Sequence, residues 1–325
     1  MTIALNIFLL LVGFAALIKG ADFFVDGSAS MARTFKVPGV IIGLTIVAMG
    51  TSAPELAVST SAALAGSNEI ALSNVVGSNL FNLLMVLGVC ALIRPIPIDK
   101  TILRRDYPFS IGMTLLVLAA VGIPVIANGL IGKAAFSDTV SEINRPLGII
   151  LLVLFVGYMT VLVLSARKNK TDEPEEKPLP VLKSLLLIAV GLACIIIGGN
   201  LVVENAKSIA AAFGMTETLI GLTIVALGTS LPELVTSVVA SHKGENGMAV
   251  GNVVGSNLFN LMLILGVSGT IHPIGVNLAS VVDLGILTVI SVIAYVFCIT
   301  KKISRAEGAA MVLMYLGTMV FAIVR

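Results

Sequence analysis

Tryptophan is absent from this 325-residue chain, and histidine occurs only as His242 and His272. Neither histidine has a partner at metal-ligand spacing and both fall in expected loops, so zinc and copper sites find no donors here. Cys90, Cys194 and Cys298 each sit inside an apolar run, which reads as buried packing and implies no disulfide framework. Charge is scarce too: 12% of residues are charged and the net is +2, spread over short segments, which excludes a nucleic-acid-binding face. Long polar stretches are limited to one, Arg167–Pro180, with three prolines and four acids. It predicts a solvated linker.

What is present is apolar. A hydrophobic content of 57% and a mean hydropathy of +1.07 lie outside the soluble range, and runs of about 20 apolar residues recur. The chain reads as an all-α, polytopic membrane protein embedded in a lipid bilayer. Ten transmembrane helices are predicted, over 3–24, 38–64, 71–93, 107–127, 146–166, 183–203, 217–241, 248–271, 281–299 and 306–324. The first has no basic flank and no small-residue cleavage site behind it, and is expected to be retained. Placing both termini outside leaves 16 of the 20 basic residues in cytoplasmic loops, among them those of the 167–182 linker.

The sequence repeats itself. Gly43–Glu55 recurs as Gly221–Glu233 with two changes, and Asn74–Leu83 recurs unchanged as Asn252–Leu261, all at an offset of 178. Weaker matches at the same offset, such as Gly13 with Gly191, extend the unit to about five helices. Because five is odd, the two copies, 1–166 and 183–325, must lie in opposite orientations across the membrane.

Each copy carries polar groups that hydrocarbon penalises. Pro54 and Pro232 displace the carbonyls of Gly50 and Gly228, and the carbonyls of Ala48 and Ala226 lie just before them, so oxygens are expected to face a gap. Thr51, Ser52, Thr229 and Ser230 add hydroxyls. Glu55 and Glu233 add charge at a cost of about 2.5–3.5 kcal/mol each on insertion scales, which calls for a compensating cation. Oxygen donors alone favour hard ions such as Na+ and Ca2+. Asn74, Ser78 and Asn82 share one helical face, as do Asn252, Ser256 and Asn260. Facing the glutamates, these residues would complete a polar cage. Gly77 and Gly255 read equally as packing, and Asn79 and Asn257, off that face, read equally as helix-to-helix hydrogen bonders. Asp26 and Glu204 read as interfacial. One Ca2+ neutralises the two carboxylates, and several Na+ could share them. Competition for the same pair makes exchange the expected mode of transport.

The motifs Gly50-Thr51-Ser52-Ala53-Pro54-Glu55 and Gly228-Thr229-Ser230-Leu231-Pro232-Glu233, each followed by Gly-Ser-Asn-Leu-Phe-Asn, resemble the α-repeats of the sodium/calcium exchanger family of cation/calcium antiporters. The resemblance spans nearly the whole chain. It implies ten helices in two inverted five-helix repeats, with the first and sixth helices sliding past a core of the second, third, seventh and eighth. It further implies Glu55 and Glu233 as Ca2+ carboxylates, Thr51 and Thr229 as mainly backbone donors, and Ser52, Ser78, Ser230, Ser256, Ala48 and Ala226 around Na+ sites. Asn82 and Asn260 depart from the family, in which at least one copy commonly carries aspartate. The expected activity is sodium/calcium antiport in a prokaryotic inner or plasma membrane, with no cofactor and no obligatory protein partner. A proton/calcium antiporter using the same glutamates is the alternative. An intramembrane protease lacks its paired aspartates or activating histidine.

Overall fold

In the computed structural model the described residues are 2–65, 69–128, 134–168, 177–215 and 226–324. Helices dominate: α1 Ile3–Phe35, α2 Gly39–Thr51, α3 Ala53–Leu64, α4 Ala71–Ile93, α5 Ile102–Ala127, α6 Arg145–Lys168, α7 Val181–Ala212, α8 Ala226–Gly228, α9 Leu231–His242, α10 Asn246–Ile271, α11 Leu278–Ile299 and α12 Arg305–Val324. Seven of them are long and apolar enough to cross a bilayer, or eight when the bent pair α2–α3 counts as one span. The expected span at 217–241 lies partly outside the described residues, and 306–324 corresponds to α12. Side chains such as Phe8 and Leu11, each 60% exposed, face outward, as lipid contact requires.

Two helices run about ten residues past the ends that hydropathy suggests. α1 runs to Phe35 rather than residue 24, and α7 to Ala212 rather than residue 203. Lys19, Asp22, Asp26 and Arg33 do not stop α1, because charges end an apolar run without breaking a helix. The backbone turns only at Lys36, where φ is +53°, ahead of Pro38. The charges find partners: Lys243 Nζ lies 2.8 Å from Asp26 and 3.3 Å from Asp22, and Arg33 lies 3.0 Å from Glu245. At about 50 Å, α1 exceeds the hydrocarbon thickness.

α1 and α7 pack antiparallel along a seam of small residues. Gly13 faces Gly198, Gly20 faces Gly191 and Gly27 faces Ser184, each a seven-residue step along both helices. A Cβ on Gly191 would stand 2.5 Å from Phe24 N and 2.7 Å from the Gly20 carbonyl, so only glycine permits this approach.

The rest of the core gathers around α4 and α10. α2 lies backbone against backbone on α10: a Cβ at Gly43 would meet the Met248 carbonyl, and one at Gly251 the Val40 carbonyl, both at 2.5 Å. Gly255 is part of that crossing, since a Cβ there would lie 2.7 Å from the Ala48 Cβ. Packing therefore accounts for this glycine. Among the described residues, four short strands close the ends of the bundle. β1 Ile96–Pro97 pairs antiparallel with β4 Lys302–Ile303, and β2 Thr139–Ile143 with β3 Ile274–Asn277. At the offset of 178, β1 corresponds to β3, so both pairs join one half of the chain to the other.

Hydropathy starts the fourth span at residue 107, whereas α5 begins at Ile102 and buries Asp106 completely. The carboxylate accepts from Arg105 Nε at 2.8 Å and Nη2 at 3.2 Å, and from the Tyr158 hydroxyl at 3.1 Å. Arg105 also donates to Ser165 at 2.6 Å. This satisfied network ties α5 to α6, as a buried acid demands.

Candidate ion-binding site

The segment after Thr51 bends by 48° between α2 and α3. Pro54 cannot donate to the carbonyl four residues back, and Ser52 at the break has φ −84° and ψ 5°. Ser230 before α9 repeats that conformation, at φ −93° and ψ 4°. Each break turns a serine hydroxyl and, one helical turn on, a glutamate into the protein. The Ala48 carbonyl accepts the Ser52 N–H at 3.0 Å, which occupies one of its two lone pairs, while the proline's effect falls on Gly50. Ala226 opens α8, and the residues before it lie outside the described range.

Glu55 and Glu233 are 1% exposed and belong to opposite halves of the chain, yet each is held by the other's motif. Ser52 Oγ donates to Glu233 Oε1 at 3.0 Å, and Ser230 Oγ donates to Glu55 Oε1 at 3.2 Å. Ser78 Oγ lies 3.0 Å from Ser230 Oγ, and Ser256 Oγ donates to Glu233 Oε1 at 3.3 Å. Thr51 Oγ1 donates to Asn252 Oδ1 at 3.0 Å and lies 3.4 Å from Ser256 Oγ. The structure thus gathers Thr51, Ser52 and Ser256 around Glu233, and Ser230 and Ser78 around Glu55, in two hydrogen-bonded groups that each draw on both halves of the chain. Thr229 precedes Ser230 at the second break. Its Oγ1 is buried without a hydrogen-bond partner.

The asparagines divide into two groups. Asn74 Nδ2 donates to Ser59 at 3.1 Å and Asn252 Nδ2 to Ser237 at 3.0 Å, which braces α4 against α3 and α10 against α9. Asn82 and Asn260 sit in wide π-helical turns, Phe81–Val86 and Phe259–Ile264, which occupy corresponding places in the two halves. Such turns insert an extra residue into the helical repeat and recur at functional sites. Residue periodicity gives no sign of them.

The second oxygens decide what the cluster can hold. Glu55 Oε2, Glu233 Oε2, Asn82 Oδ1 and Asn260 Oδ1 are all buried, and none has a hydrogen-bond partner. Buried acceptors without donors carry a desolvation cost of about 1–3 kcal/mol each, more when charged. A hard cation would offset it, since oxygens are the donors such ions take. Among the described residues there is no group of three His, Cys, Asp or Glu side chains. Neutral oxygens, from amides, hydroxyls and backbone carbonyls, are the other donors available to a cation beside the two acids.

The family model for sodium/calcium exchanger proteins matches residues 5–164 and 183–324. This chain belongs to the sodium/calcium exchanger family. Among its relatives is the inner membrane protein YrbG of Escherichia coli, 33% identical over 94% of this chain and 92% of that one. Another is the sodium/calcium exchanger MaX1 of Methanosarcina acetivorans, 30% identical over 98% of both chains. A solved structure of the sodium-calcium exchanger NCX_Mj superposes with a TM-score of 0.81 at 31% identity, covering 100% of each chain. Family membership makes this exchanger an integral membrane transporter, and the helical fold is that of NCX_Mj.

Proposed function

We propose that this exchanger moves Na+ against Ca2+ by alternating access, through a central site shared by Glu55 and Glu233. The observation that carries the reading is the reciprocal pair of serine-to-glutamate bonds, which leaves one buried oxygen on each acid without a donor. Those two oxygens, with the amide oxygens of Asn82 and Asn260, offer a divalent ion charge neutrality and hard ligands. Ser52, Ser78, Ser230, Ser256, Thr51, Thr229 and the carbonyls of Ala48 and Ala226 would serve Na+ around them. Simultaneous full occupancy by both kinds of ion would overcharge a buried site, so the ions exclude each other.

The fold we assign to this activity has ten membrane helices in two inverted halves, 1–166 and 183–325, with the linker 167–182 in the cytoplasm and both termini outside. It would reside in a prokaryotic inner or plasma membrane. Support comes from the offset of 178 and from strand pairs that exchange partners between the halves. In the transport cycle, α1 and α7 move as one body along the core, because their glycine seam binds them to each other more closely than to any neighbour. The site then opens to one side at a time.

Proteoliposomes loaded with Na+ and diluted into Na+-free buffer containing Ca2+ test the activity. Uptake should follow the Na+ gradient and persist when a protonophore collapses any pH difference. Uptake driven only by a proton gradient would replace this reading with proton/calcium antiport. Glu55→Gln and Glu233→Gln should each abolish calorimetric Ca2+ binding in folded protein. Tight binding by either variant would remove the shared site.

A further inference from the structure

We propose that Asn79 and Asn257, which the ion cage does not use directly, are positioning residues that fix which way the amides of Asn82 and Asn260 face. Asn79 Nδ2 lies 3.3 Å from the carbonyl oxygen of Asn257, and Asn257 Nδ2 lies 3.4 Å from that of Asn79. A backbone carbonyl can only accept, so each of these amides must turn its NH2 toward the opposite helix. Its oxygen then points the other way. Asn79 Oδ1 receives Asn260 Nδ2 at 2.9 Å, and Asn257 Oδ1 receives Asn82 Nδ2 at 3.2 Å. An oxygen in that place accepts only a donor, so Asn260 and Asn82 must present NH2 to it.

The remaining end of each amide is therefore the oxygen. Those two oxygens are the buried acceptors without partners. Were either amide reversed, an NH2 would face the cage and repel a cation instead of binding it. All four residues are at most 1% exposed, so no water competes for their bonds. The polarity of the cage is thus dictated by two main-chain carbonyls through a crossed pair of side chains, one from each half. This inference rests on the proposed cation site.

A double-mutant cycle on the full-length purified protein, read by calorimetric titration with CaCl2, tests it. Asn79→Ala frees the Asn260 amide to rotate and should weaken Ca2+ binding by roughly 10- to 100-fold, as loss of a supporting partner does at other metal sites. Asn260→Asp removes the need for orientation, because both ends of a carboxylate are oxygen, and it also sets an acceptor against Asn79 Oδ1. In that background Asn79→Ala should cost nothing or improve binding. An equal penalty in both backgrounds would reduce Asn79 to a structural tie and overturn the proposal, as would no penalty in either. The mirrored cycle, Asn257→Ala with Asn82→Asp, must give the same pattern and serves if one variant fails to fold. If Glu55→Gln still binds Ca2+, the cation site itself falls, and this inference with it. Loss in Glu55→Gln with indifference to Asn79→Ala and Asn257→Ala sinks the positioning role alone.

Discussion

A single methyl group at residue 191 should damage this protein more than its size suggests. In Gly191→Ala the new carbon would stand 2.5 Å from Phe24 N and 2.7 Å from the Gly20 carbonyl. Carbon needs about 3.5 Å from its neighbours, so α1 and α7 must part locally by up to about 1 Å. Both contacts are backbone atoms of a helix and cannot rotate aside. Parting also loosens the contacts on either side, at Gly13 against Gly198 and Gly27 against Ser184. Overpacking of this kind costs about 1–3 kcal/mol. Gly157 provides the control, since nothing lies within 4 Å of a Cβ built there. On that open helical surface alanine should stabilise by up to about 1 kcal/mol through its higher helix propensity. Thermal unfolding of the two variants in the same detergent should separate them in opposite directions from the parent. If Gly191→Ala unfolds at or above the temperature of Gly157→Ala, close packing is not what joins α1 to α7.

Other substitutions test neighbouring parts of the argument. Ser52→Ala and Ser230→Ala each remove a hydroxyl from the opposite half's glutamate; a hydrogen bond to a charged group is worth about 1.5–3 kcal/mol, so both should weaken Ca2+ binding in titration about tenfold or more. Asp106→Ala strands Arg105 and Tyr158 and should cost about 3 kcal/mol, seen as a fall of several degrees in the unfolding midpoint with Ca2+ affinity unchanged. Lys243→Ala breaks contacts to Asp22 and Asp26 that are partly solvated, each worth about 0.2–1 kcal/mol. Its deficit should shrink as salt is raised, which denaturation at two ionic strengths would reveal.

The site was legible because the chain states it twice. Proline and glutamate inside an apolar run have few structural uses, and the recurrence of both at one offset points to a shared centre. Ser52 and Ser230 followed from adjacency, and their bonds cross between the two halves of the chain. The ends of α1 and α7 were hidden because hydropathy falls at Lys19 and Asp22, whereas the helix continues until its backbone turns at Lys36. Asp106 was hidden for the opposite reason: an acid beside two arginines resembles a loop, and only the fold shows Tyr158 closing over it. The wide turns at Asn82 and Asn260 leave no mark in composition at all. A residue pattern records which side chains share a face, and an extra residue in one turn shifts that face without altering the pattern. Asn79 and Asn257 looked like helix-to-helix bonders, which they are. What sequence could not supply was that their partners include each other's backbone.

The strand pairs at the ends of the bundle bear on how the chain is made. β1 leaves the membrane after the first quarter of synthesis, yet its partner β4, at Lys302–Ile303, emerges only near the end. β2 must likewise wait for β3. Through most of translation the early strands have exposed, unpaired edges and no local mate. The amino-terminal half is therefore an unfinished object until α11 and the strands on either side of it are made, and a ribosome stalled before residue 274 would leave a product with both ends of its bundle unsealed. Quality-control proteases would meet open edges on that product, and the completed chain would hide them.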